Sequence, residues 1–445
     1  MLQHYFKQKG DSVITSKYFL SRTAPVLVIS LSLAYLLKYD LLIVSGLLFC
    51  FWIFQNSLPK RIYSVEGDNN RLFLLVTGVV LLSKILFLIK LALIHHQSMH
   101  RSVLNPVELY QLCYLSVSYQ SFGFVRRGLI PSVVQAFSGD YLVQLYLVQG
   151  IGFASFLSGL FVINKKKAFD FVQKGYFIPA LLLSPVGIYY HSNFTFGFYD
   201  MTLIGLLFLS FSYRGHPAAV LFDAAGLLVH EAYIILRLPF LLFDLLNGIS
   251  EKSLRKTSIA WLTILINAAV LLLIILWPRP GADALADHFL HQYASLGRIT
   301  QPSDFDAFLP LSREGTLTAD FNIMKQYYIS RKFSSFLFPL ALSTMSVYGF
   351  TFLSSSLSGR QRVQDSCCCL FSFSCPLLLG LVGADFGRWI AFSYITWLSY
   401  YLLFRPLLYP SARVSENCLY AVFLTVLLLI PFGYNFHPLF SWLLG

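Results

Sequence analysis

SIAWLTILINAAVLLLIILW, running from Ser258 to Trp277, contains no charged side chain and is long enough to cross the hydrocarbon core of a bilayer as one helix. The pattern recurs along the chain. Tyr141 to Ile163 and Cys418 to Ile430 are equally free of charge, and Leu72 to Leu93 carries only Lys84 and Lys90. Across all 445 residues the mean hydropathy is +0.65 and 12% of side chains are charged. A water-soluble body of this size needs far more charge to cover its surface. The sequence therefore reads as an all-α, polytopic integral membrane protein.

Apolar segments fall at 24–37, 41–57, 72–94, 141–163, 176–190, 198–213, 217–230, 232–248, 258–277, 336–356, 367–383, 389–404 and 417–434. That predicts about 13 transmembrane segments, with the pair flanking Glu231 able to form one long helix instead. Several are shorter than the roughly 20 residues an upright span needs, as happens where helices break around a buried cavity. With no linker, low-complexity tract or internal repeat, 1–445 is read as a single membrane domain with two larger extracytoplasmic excursions, at 95–140 and 278–335. Residues 1–22 are polar and basic and lack the apolar core of a signal peptide, so they are expected to remain as a cytoplasmic basic tail.

Charge sets the orientation. Alternate short loops carry Lys7, Lys9, Lys17 and Arg22; Lys60, Arg61 and Arg71; Lys165, Lys166, Lys167 and Lys174; Arg214; Lys252, Arg255 and Lys256; Arg360 and Arg362; Arg405 and Arg413. More than half of the 33 Lys and Arg thus lie on one side, which the positive-inside rule assigns to the cytoplasm. The N-terminus is then cytoplasmic and the C-terminus periplasmic. The net charge of +12 reflects this topology and is not a nucleic-acid footprint. The seven cysteines have no metal-ligand spacing, and Cys367, Cys368 and Cys369 read as packing residues at a helix start. In the first excursion, Val107 to Leu115 reads as an amphipathic helix lying at the interface. The second, with Asp283, Asp287, His288 and His291, reads as short helices capping the membrane part.

Five polar motifs then share the outer face: Gly123 to Gly128, His191 to Asp200, His230-Glu231, Gly383 to Trp389, and Asn435 to Pro438. Charge at membrane depth is costly unless paired or lining a wet cavity, so their convergence predicts one polar chamber. Arg126 and Arg127 offer two planar donor forks, and Gly128 lets the backbone approach closely, which together suit a phosphate or pyrophosphate group. The alternative is snorkelling to lipid headgroups. Arg388 is a similar candidate that could simply pair with Asp385. Tyr199 and Trp389 complete the candidate substrate-binding set.

His230-Glu231 interrupts an apolar stretch. A carboxylate there is expected to have a raised pKa unless a cation such as Arg237, or a metal, compensates. Glu231 is accordingly the expected general base, with His230 orienting it or sharing its proton, and Asp385 and Asp200 as further catalytic candidates. Asp223 is read as structural. The intramembrane cations Lys84, Lys90 and Arg237 keep a transporter reading open, although matched broken helices in two halves are missing.

In this layout, with Arg126, Arg127 and Arg388 in outer loops and one long outer loop at 278–335, the chain resembles bacterial membrane enzymes that handle polyprenyl-linked sugars: Wzy-type O-antigen and capsule polymerases and GT-C glycosyltransferases. GT-C enzymes carry an acidic residue in a large loop after the first helix. Here the comparable loop follows the third segment and offers only Glu108 and Asp140, which moves the base to Glu231. The resemblance implies glycosyl transfer from a polyprenyl phosphate or pyrophosphate donor in surface polysaccharide synthesis. It also implies a place in the bacterial inner membrane, with the lipid bilayer, the lipid-linked glycan and other envelope-glycan assembly proteins as partners. A divalent metal is neither required nor excluded by the residues. The rival reading is a flippase for the same lipid-linked oligosaccharide.

Overall fold

The computed structural model describes residues 106–165, 199–250, 252–293, 359–381 and 386–409, together with Ile85, Ile89, Phe308, 311–313, Val347 and Leu357. Every regular element among them is helical. The expected segments at 24–37, 41–57, 176–190 and 417–434, nearly all of 72–94 and 336–356, and the basic tail 1–22 lie outside the described residues.

The longest helix, α4 (Tyr141–Lys165), begins where the Asp140 carboxylate accepts the backbone N–H groups of Leu142 at 2.9 Å and Val143 at 3.0 Å. It packs most closely against α5 (Asp200–Ser212). A Cβ on Gly205 would lie 2.3 Å from the carbonyl carbon of Ser155, and one on Gly159 would lie 2.8 Å from the Gly205 oxygen. Any side chain there would force the backbones apart. Small residues allow this close approach, which is how apolar helices gain dispersion contact in the absence of a hydrophobic driving force. Gly152 faces Met201 and Thr202 while Gly159 faces Phe208, so α4 and α5 run parallel.

Next, α6 (Ala218–Val229) and α7 (Tyr233–Ser250) form an antiparallel hairpin. The turn at 230–232 separates them, so the stretch around Glu231 is two helices. Gly226 sits so close to the Tyr233 ring that a Cβ would come within 2.5 Å of it. A second tight hairpin leads into α8 (Leu254–Leu276), with Gly248 against Thr257 and the Ser253 hydroxyl capping the new helix.

Both α4 and α8 are long and apolar enough to cross a membrane. The core helix of a soluble protein would pass the same test, and the two helices differ in how far they are covered. Only 22% of the α8 apolar window is buried, along the stripe Ala260, Thr263, Asn267 and Ile274. Trp261, Leu265, Leu272, Ile275 and Leu276 lie on the open face. An outward apolar face of this kind is compatible with a membrane span.

The C-terminal part consists of α10 (Gly359–Ser374), a 3-10 turn at Cys375–Leu381, α11 (Phe386–Ser399), a π-turn at Tyr400–Phe404 and α12 (Arg405–Leu408). Two expectations are corrected here. The helix expected at 367 begins at Gly359, so Arg360 and Arg362 stand on its first turn. Arg405, read as a loop charge, is buried. Its Nε donates to Asp365 at 2.8 Å, and the Tyr400 hydroxyl donates to the same carboxylate at 3.0 Å. Of the three adjacent cysteines, Cys369 is buried, Cys368 half-buried and Cys367 exposed. Phe211, Phe240 and Phe404, with centroids 4.5 to 5.1 Å apart, join α5, α7 and this C-terminal part in one aromatic core.

The first excursion also differs from its sequence reading. Its helix α1 (Pro106–Leu115) exists, yet the described side chains from Gln111 to Leu115 are buried all round, so this half of it is packed into the protein and does not lie half-exposed at an interface. In the second excursion, α9 (Ala282–Gln292) buries Leu285 and Phe289 and is tied back by the Arg313 N–H on the Pro280 oxygen.

Candidate functional site

The parallel and antiparallel pairings bring one set of helix ends together: the starts of α4, α5 and α7 and the ends of α6 and α8. Two short helices of the first excursion, α2 (Tyr119–Phe122) and α3 (Leu129–Phe137), sit at this end. Phe124 stacks edge-on against Trp277, 5.7 Å away, and Phe122 against His288 of α9 at 4.9 Å.

The turn between α2 and α3 carries Arg126 and Arg127. It is held from both sides: the Ser132 hydroxyl accepts the Tyr119 N–H at 2.7 Å and donates to the Gly128 oxygen at 2.6 Å. Arg127 adopts φ 61°, the left-handed region that costs a side-chain-bearing residue about 1–2 kcal/mol. Gly128 is required on steric grounds, because a Cβ would meet the Tyr119 ring at 2.4 Å. The close approach that Gly128 permits is therefore to the Tyr119 ring.

Glu231, in the turn between α6 and α7, receives both guanidiniums. Arg126 donates through Nη2 to Oε1. Arg127 donates through Nη2 to Oε1 at 2.5 Å and through Nε to both oxygens at 3.2 Å. The Arg127 guanidinium also lies 5.2 Å over the Tyr114 ring. The three side chains are 13–19% exposed, so the pairing is well shielded from water. Burial pushes the Glu231 pKa up, and the charges of Arg126 and Arg127 outweigh it, holding the carboxyl well below the usual carboxylate range. The exception allowed for in the sequence, a compensating cation, is met by Arg126 and Arg127. Arg237 is not the compensating cation.

His230 lies 3.7 Å from Glu231, close enough to count as an ion pair were it protonated. Its Nδ1, however, accepts the Ala232 N–H at 3.0 Å. A ring nitrogen that accepts carries no proton, so the geometry fits the neutral tautomer with the proton on Nε2. Proton sharing between His230 and Glu231 does not fit this arrangement.

The other candidates are distributed as follows. Tyr199 precedes α5 and is near enough to Arg127 to feel its charge, with Tyr114 and Tyr293 as neighbours. Asp200 is buried on the first turn of α5. Trp389 is buried on α11 and packs against Phe392 at 5.9 Å. Arg388 lies on the first turn of α11, where only the backbone is described, and Asp385 lies outside the described residues. The structure adds Tyr114, Gln144 and Tyr293, whose hydroxyl donates to Gln144 at 2.7 Å. The sequence signal for Tyr114 and Tyr293 was the aromatic density of the excursions, and Gln144, inside the charge-free run from Tyr141, gave none.

Away from this end, Arg237 donates to Asp223 at 3.0 and 3.2 Å and to Asp244 at 3.0 Å, and Arg214 pairs with Asp244. The Tyr233 hydroxyl donates to Asp223 at 2.6 Å. This ladder ties α6 to α7 and gives Asp223 a structural role. Among the described residues, no three His, Cys, Asp or Glu side chains are placed to hold a metal ion. No known protein family, curated protein or solved structure matches the chain.

Proposed function

We propose that the chain is a polytopic protein of the bacterial inner membrane, with about 13 spans and a cytoplasmic N-terminus. Its Arg126–Arg127 turn holds the phosphate of a polyprenyl-linked sugar for extracytoplasmic glycosyl transfer in surface polysaccharide synthesis. The observation that carries this reading is the seating of two adjacent guanidiniums on the one carboxylate of Glu231. Each guanidinium has five N–H donors, more than a single carboxylate can engage. Glu231 fixes both planes before any ligand arrives, and electrostatic preorganisation of this kind stabilises charge on a departing phosphate. In this reading Glu231 organises the cations, and Asp200 takes the role of base toward the acceptor hydroxyl.

Orientation is supported by where the remaining charge falls. Arg214, Lys252, Arg255 and Lys256 lie at the helix ends opposite the site, the pattern of a cytoplasmic face. The α5 and α6 helices span only about 18–20 Å at 1.5 Å per residue, short of a bilayer core of about 30 Å. The turn bearing Glu231 then lies beneath the outer lipid surface, within reach of a polyprenyl phosphate. The transporter reading loses one of its supports, since Arg237 is held by Asp223 and Asp244.

Reporter fusions after Lys166 and after Asn322 should read cytoplasmic and periplasmic respectively, and the reverse result removes the orientation. The glycan of a deletion strain separates the activities. Single short units indicate a polymerase and a missing branch a transferase, whereas loss of all surface glycan would sink the enzyme reading in favour of a flippase.

A further inference from the structure

Arg127 is the point at which the first excursion meets the α6–α7 turn. One edge of its guanidinium engages Glu231, and its face lies 5.2 Å over the Tyr114 ring of α1. The edge contact alone does not set the plane of the group. Nη2 is bound to Oε1 at 2.5 Å, but Nε stands 3.2 Å from both oxygens. The guanidinium can keep such a shared contact while it tilts about the Nη2–Oε1 bond. A surface against its face is needed to hold the tilt, and Tyr114 supplies it.

The ring is itself held in place. Tyr114 is 6% exposed, with Leu112, Cys113 and Leu115 beside it in the core. Two further bonds brace its helix and the arginine turn against each other. Gln135 of α3 donates through Nε2 to the Leu115 oxygen at 2.5 Å, and Gln120 of α2 donates to the Ser132 oxygen at 3.1 Å. With the Ser132 hydroxyl closing the turn, α1, α2 and α3 form one bracket around Arg127. An aromatic face attracts a cation through its quadrupole, most strongly where water is shut out, and leaves the N–H edges of a guanidinium open. Resting on the phosphate reading above, we infer that Tyr114 is a positioning residue of that site: its ring face fixes the guanidinium plane of Arg127, so that a phosphate meets a donor edge already aimed. The ring acts through Arg127 and need not touch the ligand. Phosphate affinity then depends on the charge on the ring face as well as on the ring's shape.

The test uses the full chain purified in detergent, with farnesyl diphosphate as the probe. Tyr114 is replaced by phenylalanine and by mono-, di- and trifluorinated phenylalanine through nonsense suppression. Each fluorine draws charge from the ring face with little change in shape. Affinity should fall stepwise along the series, about three- to tenfold from the plain to the trifluorinated ring. A role in packing alone would give a flat series whatever the melting temperature does, and that result overturns the inference. The same series at Phe289, buried on α9 against Tyr293 and Phe308, should leave affinity unchanged. An equal fall there would also overturn the inference, because the fluorines would then be acting without the guanidinium. If the parent chain does not bind farnesyl diphosphate, the phosphate reading itself fails and Tyr114 loses this role with it.

Discussion

Arg237→Leu should leave little or no folded protein. The guanidinium is 2% exposed and bonds Asp223 and Asp244 at once, with Asp223 itself fully buried. Removing it leaves Asp244 with Arg214, but leaves Asp223 as a buried carboxylate with the Tyr233 hydroxyl as its remaining described donor. Breaking a buried ion pair from one side costs about 3–5 kcal/mol, against a total stability of about 5–15 kcal/mol. The measurement is the yield of monodisperse protein in mild detergent together with its melting temperature. Neutralising the stranded carboxylate should recover most of the loss, because removing both partners of such a pair is often close to neutral. Arg237→Leu combined with Asp223→Asn is therefore expected to fold where the single variant does not. A single variant that melts with the parent would show that the ladder carries no stability.

The largest effect on activity is expected at the turn cluster. Arg127→Lys keeps the positive charge but replaces a planar fork with a point charge that cannot span both Glu231 oxygens. Loss of one preorganised donor typically lowers turnover about 10²–10³-fold, and glycan transfer should fall by that order while protein abundance holds. Glu231→Gln keeps the volume and presents an amide N–H₂ to one of the two guanidiniums it formerly held. Transfer and diphosphate binding should then fall together, because the cations lose their common anchor. A Glu231→Gln protein that binds farnesyl diphosphate normally yet transfers no glycan would return Glu231 to the role of base. One that retains full glycan synthesis would remove it from the site.

How these two clusters relate to the sequence is instructive. The helical class, and the ends of α4, α5 and α8 to within a few residues, follow from apolar runs and their flanking charges. So does the placement of Arg126, Arg127 and His230-Glu231 on one face, because each sits at the same parity of helix end. The bond itself could not be read, since it joins residues 104 and 105 positions apart and leaves no periodic trace. Arg237 was matched to Glu231 through nearness in sequence. The turn at 230–232 folds the chain back, so Arg237 instead meets Asp223, which lies a similar distance on the other side of that turn. Asp244 follows Arg237 by two helical turns on one face, a spacing that did carry the information. Arg405 was misplaced for a different reason: the π-turn at Tyr400–Phe404 carries the helix past the end of the apolar run.

The left-handed backbone of Arg127 sets heat tolerance against usefulness at that position. Glycine adopts φ 61° without steric penalty, and deleting this one guanidinium still leaves Glu231 matched with Arg126. Arg127→Gly should therefore raise the melting temperature while abolishing transfer. A library of variants sorted by heating alone would enrich that change and discard the arginine, because nothing in such a sort rewards what the arginine does.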